Sequence, residues 1–554
     1  MGFLCPLAQL SFFPQIAVVA CFAEGRKVGV GLTLPIEAGR LRLFGVDKMK
    51  GEIRAKGEAD GIPFILSARK LEGGRESVLL EAKLFPRKPA SIRLKWKEFL
   101  LISRDGELTK PRLDIFWRSK WPVQPSLYAS SPQTGSFLWL LDLTHLDKTV
   151  RVTTLWPVGG VVLHPPEFGW LKVPGEIALP KGSWVLSRAL VFFTPEPEGK
   201  IEEARFFLDA VSEALEILEL PRPRLPNWKR VAKDEIFLLS HDKRAWVEWN
   251  GGRFFRAYFA CRPYEPELIT QVDIARGLWR FYNRYGEGSE LVKRLGDLIR
   301  RFFHPRFGSF HNNLATSRRI DSWYFMSQLA NLARLYSEGF PIDKSMLLSS
   351  LQRAIRFGRA VNYQFPVFAD PLTLKPIFGF EPDVAGCYVW LMMEAYRLFG
   401  DRKYLEEALR AASVIPNFGF SLAYELHMTA ASCAGLLRLY KATGERRWAE
   451  AALVPLANLV ANLWLWESDF GPAALYPTTF GLSAMPGIGY TAMKESWEAW
   501  DYMREALMLA EGVWPRSALD MARLFVEHQP STMWASIASE TPPFGLWGSP
   551  KMRG

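Results

Sequence analysis

The sequence predicts a multidomain protein, β then α: an N-terminal antiparallel β-sandwich followed by paired helices arranged in a ring. Three observations predict it. The chain has 554 residues, 49% of them apolar, which is too much for one ordinary core and favours two or three domains. Short runs of period two, separated by turn chemistry, fill residues 15–195. Beyond residue 262 the period becomes helical, and a shared local sequence recurs at helix ends.

The strands follow from alternation. In Ser91–Trp96, Ile92, Leu94 and Trp96 face one way and Arg93 and Lys95 the other. Further runs lie at Ser77–Phe85, Leu113–Trp117, Ser136–Leu141, Val150–Leu155 and Ser183–Phe193. Residues 15–34 read as a hairpin turning at Ala23–Lys27, and Arg104-Asp105-Gly106-Glu107 and Glu72-Gly73-Gly74 are turn signals. Many short strands without a long helix between them predict a sandwich over residues 1–197. His145, Asp142 and Asp147 fall together between strands and read as a polar turn.

Residues 198–261 read as a linker. Ile201–Leu220 has an apolar helical face of Ala204, Phe207, Leu208, Val211, Ala214 and Leu215, and Pro221, Pro223 and Pro226 end it. Glu235–Glu248 and Gly252–Phe259 are expected to form a small hairpin across Asn250-Gly251. The change of period on either side of this linker predicts that the two halves fold independently.

Residues 262–554 carry the repeat. Leu278–Tyr282, Leu332–Tyr336, Ala395–Phe399 and Leu436–Tyr440 each pair an Arg with a closing ring. Each precedes a turn glycine (Gly286, Gly339, Gly400, Gly444) and a second amphipathic helix. The Arg complements the helix C-terminal dipole and the glycine supplies a left-handed cap. Thr491–Ala510 with Pro515–His528 is a fifth, more degenerate pair. The extra length sits in loops before the first helix of each pair, which suits a ring with one functional face.

At two of these turns the residues become specific. Arg397-Leu398-Phe399-Gly400-Asp401-Arg402-Lys403-Tyr404-Leu405-Glu406-Glu407-Ala408-Leu409 and Lys441-Ala442-Thr443-Gly444-Glu445-Arg446-Arg447-Trp448-Ala449-Glu450-Ala451-Ala452 resemble the recurrent turn of six-hairpin glycosidases. The resemblance covers residues 262–530 and implies an (α/α)6 toroid, preceded by a β-sandwich as in glucoamylase-like and glycoside-phosphorylase-like enzymes. Five hairpins are clear; a sixth has to come from Ile201–Leu220 or the C-terminal tail. The turn occurs in hydrolases, phosphorylases, lyases and epimerases alike, so it speaks to fold before chemistry.

In such toroids the inner helices present their N-termini to a common cleft. Taking the first helix of each pair as inner gives Asp273, Asp321, Glu381, Asp383, Glu425 and Glu495 as candidate acids. Glycoside hydrolysis needs two carboxyls, one protonated and one ionised. Acids are also favoured in first turns by free N–H groups alone, so aromatic company is the discriminator. Trp323 and Tyr324 flank Asp321, Trp497 and Trp500 follow Glu495, and Tyr424 and His427 flank Glu425. Asp321 and Glu495 are the expected pair, with Glu425 in reserve; Trp323, Tyr324 and Trp497 are expected to stack on sugar. Asp273, Asp383, His427, His311, Asn312, Arg318 and Tyr490 complete the expected substrate contacts, Arg318 with Arg319 as a clamp for an acidic sugar. The insertion holding Trp464–Asp469 and Gly487–Tyr490 reads as a lid or subsite wall.

Composition narrows the alternatives. The 21 Trp suit either carbohydrate stacking or a large aromatic core. The net charge of +11 is spread along the chain, with no nucleic-acid-binding signature, so the expected partner is an oligo- or polysaccharide, neutral or acidic. Five cysteines without CxxC spacing argue against a disulfide framework or structural zinc, and no cofactor is expected. The uncharged N-terminus is broken by Pro6 and Pro14 and is no membrane span; cytoplasmic residence is expected, an atypical cleaved signal being the alternative. Three readings stand: a glycoside hydrolase; a lyase or C5-epimerase of uronate polymers, favoured by the basic charge, Met326-Ser327-Gln328-Leu329 and the His311, Asn312 and Arg318 group; and a non-catalytic glycan-binding toroid.

Overall fold

The computed structural model describes residues 9–13, 16–72, 76–94, 100–109, 111–118, 126–141, 162–164, 167–169, 176–217, 222–223, 225, 227–257, 265–314, 319–463, 482, 485–486 and 493–534. The expected run at Val150–Leu155 and the turn around His145, Asp142 and Asp147 lie outside them, as do Arg318, Tyr490 and the insertion segments Trp464–Asp469 and Gly487–Tyr490.

The N-terminal region contains an eight-stranded antiparallel sheet. Its spatial order is Asp114–Arg118, Ser126–Ser131, Gly135–Leu141, Trp184–Thr194, Ser77–Leu84, Ile62–Lys70, Glu52–Ala59 and Leu41–Met49. A second sheet orders Gln9–Phe13, Ile16–Cys21, Val28–Thr33 and Leu100–Ser103. The hairpin expected over residues 15–34 is the pair Ile16–Cys21 and Val28–Thr33. These two strands lie against Ser77–Leu84 in the larger sheet, and the core between the sheets holds Val19, Val30, Leu66, Leu80, Trp139 and Val191.

Strand Gly135–Leu141 is buried along its whole length, and the period-two pleat explains why. Phe137, Trp139 and Leu141 point into the sandwich. Leu138 and Leu140, with Leu190 and Phe192 of the neighbouring strand, point the other way into a core shared with the helices. That second face is covered by α1 (Lys200–Ile217) through Phe206, Phe207 and Val211. Each large side chain buried there contributes about 1.5–3 kcal/mol, so the sheet and the helical region meet through one apolar interface.

The hairpin after the linker is shorter than expected, pairing Trp246–Trp249 with Gly252–Phe255. Residues expected to extend its first arm are helical instead, in α2 (Trp228–His241). Asn227 caps that helix by accepting from the Arg230 N–H at 3.2 Å, a local bond that competes with a strand.

The helical pairs are α3 (Leu268–Tyr285) with α4 (Ser289–Arg300), α5 (Ser322–Ser337) with α6 (Lys344–Ala360), and α7 (Val384–Phe399) with α8 (Arg402–Ala412). Then come α9 (Leu426–Thr443) with α10 (Arg446–Ala451) and α11 (Leu453–Ala461), and α12 (Met493–Ala510) with α13 (Arg516–Trp534). Gly400 and Gly444 end α7 and α9 in the left-handed conformation, φ 71° and 73°, as their turn sequences require. The first helices touch in succession, α3 to α5 to α7 to α9 to α12. Ion pairs from Arg276 on α3 reach Asp501 and Glu498 on α12. α1 packs outside, on α11 and α13. Among the described residues no helix is long and apolar enough to cross a membrane.

Candidate functional site

Each first helix begins with a carboxylate. Glu267, Asp321, Asp383 and Glu425 are the N-cap residues of α3, α5, α7 and α9, and Glu495 lies in the first turn of α12. The fields that Asp321, Asp383, Glu425 and Glu495 exert across these helix starts bring them into one region, and Glu267 lines the same cavity as Asp321.

Asp321 stands where a two-residue strand, Ile320–Asp321, pairs with Phe368–Ala369 and passes into α5. Its side chain accepts from the Tyr324 N–H at 3.3 Å. Burial lifts its carboxyl to about 7, outweighing that N–H and the Arg319 guanidinium. It lines a cavity of about 180 Å³ with Glu267, His311, Asn312, Arg319, Tyr324 and Gln328.

Beside it lies Glu381, fully buried, neither of whose oxygens has a hydrogen-bond partner among the described residues. Burial, then the fields of Asp321, Asp383 and Glu425, raise it to about 10. Glu425 is pushed to about 9 by burial, Asp383 and Glu495, against the pull of Lys494. It therefore feels both members of the expected pair, Asp321 and Glu495. Asp383 is the organiser of this corner. It accepts from the N–H groups of Tyr424 and Glu425 at 2.9 and 2.8 Å and from Thr429 Oγ1 at 2.8 Å, tying the start of α9 to α7. Burial still raises it to about 7.

A second polar layer lies beneath. The Lys494 ammonium sits 2.8 Å from Glu498 and 3.7 Å from Asp273, and 5.0 Å from the centre of the Trp323 ring. Glu498 is held below its usual range by Lys494, while burial raises Asp273. His427 is fully buried, edge-on to Trp323 at 5.1 Å and 3.7 Å from Glu498. Burial holds its imidazole neutral, down to about 3. Further in, Arg276, Arg334, Asp501 and Glu505 form a buried ion-pair network, with Arg334 stacked 4.3 Å from Trp390 and 4.2 Å from Tyr502.

The expected site residues thus divide. Asp321, Tyr324, His311 and Asn312 line one cavity. Trp323 stacks on Tyr324 at 3.8 Å and bridges to His427 and Lys494. Asn312 is also a helix cap, its side chain accepting from the Ile269 N–H at 3.1 Å. His311 bonds Ser309 Oγ at 3.0 Å, and burial lowers it to about 3. Trp497 packs edge-on against Trp228 and Trp500, at 5.2 and 5.8 Å, and is not among the cavity-lining residues. Two residues on from Glu495, it points about 200° round the helix. Arg319, expected with Arg318 as a clamp, lines the cavity and lies 3.8 Å over the Phe368 ring.

Glu267, Lys494 and Glu498 escaped the sequence reading. Glu267 stands one residue before the apolar period of α3 begins, as Asp321 and Glu425 do for their helices, and Lys494 and Glu498 have the i,i+4 spacing of a helical ion pair.

The outer helices supply an internal comparison. Asp343 and Asp401 are N-caps of α6 and α8, exposed, accepting from backbone N–H groups at 2.8–3.0 Å, and both are lowered by hydrogen bonds. Asp321, Asp383 and Glu425 hold the same position on inner helices and are raised. Among the described residues no group of three or more His, Cys, Asp and Glu side chains is placed to hold a metal ion.

No protein-family model matches the chain, and no curated protein matches it in sequence. Solved structures similar to it include a polysaccharide lyase, 10% identical, TM-score 0.43, covering 94% of this chain and 98% of that one. A GH76 α-mannanase from Bacteroides thetaiotaomicron is 13% identical, TM-score 0.36, covering 56% and 85%. An unsaturated glucuronyl hydrolase from Bacillus sp. GL1 is 17% identical, TM-score 0.33, covering 44% and 74%.

Proposed function

We propose that the chain is a carbohydrate-active enzyme built on an (α/α) toroid, a glycoside hydrolase working through a carboxyl pair. The observation that carries this reading is the contrast between inner and outer caps. Acids of one type at one helical position are exposed and lowered outside, but buried and raised where the inner helices gather. A carboxyl that keeps its proton near neutrality is what a leaving glycosidic oxygen requires.

In this reading Asp321, at about 7 and lining the cavity, donates the proton. Glu495, in the field of the Lys494 ammonium, activates water or attacks the anomeric carbon. Glu425 lies within the fields of both and is the reserve acid. Trp323 and Tyr324 supply ring faces for the sugar, and Asp383 positions Glu425 through its N–H. The test is turnover on a panel of neutral and uronate-bearing glycans, following new reducing ends and unsaturated products separately. Asp321→Asn and Glu495→Gln should each lower hydrolysis by about 100-fold or more. Full activity in either variant removes that residue from the pair.

Arg319 in the same cavity wall favours a second reading, a lyase or epimerase of uronates, in which the guanidinium neutralises the sugar carboxylate. Unsaturated products without new hydrolytic ends would select it.

A further inference from the structure

A short sheet at the wall of the cavity joins three strands in the order Ile320–Asp321, Phe368–Ala369 and Pro376–Phe378. Its register sets three residues in one row, because Asp321 pairs with Phe368 and Phe368 with Phe378. Paired residues on neighbouring strands point to the same face. Asp321 and Phe368 both line the cavity, and Phe378 does not. It stands one strand further out, 65% exposed, its ring 6.3 Å from that of Phe368 and tilted by 30°. The row leads from a buried acid to an open aromatic face. That face is also firmly held. In the turn before it, Asp370 accepts from the N–H groups of Leu372 and Thr373 at 3.0 and 2.7 Å and from Thr373 Oγ1 at 2.8 Å. Just after it, Gly379 takes φ 69°, and a Cβ there would overlap Val367. Covering a ring so fixed removes apolar surface from water at little further cost in order.

We infer that Phe378 is the platform of an outer sugar subsite and that the substrate is a chain of pyranose units, not a free sugar, an inference that rests on the carbohydrate reading above. Two strand spacings of ~4.8 Å put Phe378 about 10 Å from Asp321 along the row, a spacing that suits a neighbouring unit of a chain whose reacting unit sits at the acid. The phenyl ring offers a flat apolar face and no hydrogen-bonding group. The C–H face of a pyranose can cover it while the hydroxyls stay in water. An acyl chain could cover it too, but its path inward ends at Glu267, His311, Asn312 and Asp321, whose polar atoms it cannot satisfy. A sugar chain meets polar groups at its reacting unit and an apolar face at the next, which is the order of the row. Arg319 lies 3.8 Å over the Phe368 ring, so of the two rings Phe378 is the one left open to stacking.

The test measures calorimetric binding to the full chain carrying Asp321→Asn, so that ligands are not consumed. The probes are ladders from monosaccharide to hexasaccharide built from glucose, mannose, xylose and galacturonate. Phe378→Ala, Phe378→Trp or Ile377→Ala is then added to that parent. Ile377 is the control, 56% exposed on the same strand but left unpaired by the register. The expected result is that affinity steps up with length on at least one ladder. Phe378→Ala removes that step, weakening the longer members about three- to tenfold while the free sugar binds as before. Phe378→Trp keeps the step, and Ile377→Ala leaves the ladder unchanged. A step that survives Phe378→Ala overturns the inference. So does an equal loss at every length, or the same loss from Ile377→Ala, which would mark a general apolar patch. Self-association in sedimentation that Phe378→Ala abolishes, with the ladder unmoved, gives the ring to a second copy of the chain and overturns it too. Affinity that does not rise with length overturns the chain assignment and leaves the carbohydrate reading standing, whereas a parent that binds no member of any ladder overturns both. If Phe378→Ala fails to fold, Phe378→Leu, which keeps the bulk and removes the flat face, is read against the same outcomes.

Discussion

Glu381→Gln should make the protein more stable near neutrality and leave it unchanged in mild acid. The ordinary value of this carboxyl is 4.5, and in the fold burial raises it to about 10, with Asp321, Asp383 and Glu425 adding to the effect. The folded state therefore holds a proton that the unfolded chain has released. A group raised in this way contributes its full stability below about pH 4.5 and loses it as pH rises toward 10. Each pH unit in that window costs about 1.4 kcal/mol, so reaching pH 7 costs up to about 3.5 kcal/mol. Glu381 has no exposed surface, so solvent offers little relief. Glutamine has the shape of the protonated acid and cannot ionise, so it removes the penalty. Urea midpoints followed by tryptophan fluorescence should agree within about 0.5 kcal/mol at pH 4.5 and favour Glu381→Gln by about 2–3 kcal/mol at pH 7, at equal m-values. A variant destabilised equally at both pH values would refute the reasoning, because it would mean that Glu381 is ionised in the fold and held by contacts a glutamine cannot make.

Three further outcomes follow from the packing around the site. A Cβ on Gly386 would overlap Ser432 Oγ where α7 and α9 touch, so Gly386→Ala should cost about 3 kcal/mol or more by urea midpoint; a neutral result would mean the helices separate freely. Arg276→Met leaves Asp501 with Arg334 and Arg280 but strips Asn331 of its donor and Glu498 of a cation, so a loss of about 3 kcal/mol is expected, and an unchanged midpoint would show the network to be dispensable. If Arg319 clamps an acidic sugar, binding to a uronate polymer should weaken as salt rises from about 50 to about 300 mM, and equal affinity for neutral and acidic glycans at low salt would discard the lyase or epimerase reading.

Which parts of this were legible in the sequence depends on how local the signal is. The alternation that builds Gly135–Leu141 and the glycine turns at Gly400 and Gly444 are written in consecutive residues, and they appear where the periods put them. Period alone does not say that Leu138 and Leu140 face a helix rather than water, because an alternating strand buried on both faces needs a partner from elsewhere in the chain. Asn227 shows the opposite limit. One side-chain bond to the Arg230 N–H starts a helix where the hairpin was expected to begin. Trp497 shares a sequence neighbourhood with Glu495 but packs with Trp228 and Trp500, since about 100° per residue separates what adjacency joins.

The candidate acids expose the deeper limit, and they also show what resolves it. Asp401 in Phe399-Gly400-Asp401-Arg402 and Asp383 in Glu381-Pro382-Asp383-Val384 are both acids at a helix start. Two effects act on every such residue. The free N–H groups and the helix dipole favour the anion, by about 0.3–2 kcal/mol; desolvation favours the neutral acid, by about 1.4 kcal/mol for every tenfold rise in its proton affinity. At Asp401 water is retained, hydrogen bonds decide, and the carboxyl is lowered. At Asp383 three hydrogen bonds are present and still lose to burial, and the carboxyl is raised to about 7. The sign is therefore set by which layer of helices the residue caps, a property of the whole circuit from α3 to α12. Asp383→Asn puts this to measurement: if burial governs, the variant should match wild type below about pH 4, gain on it steadily as pH rises from about 4 to about 7, and keep that gain above. A penalty that grows with pH would mean the three donors hold an anion after all, and the contrast between inner and outer caps would lose its meaning for catalysis.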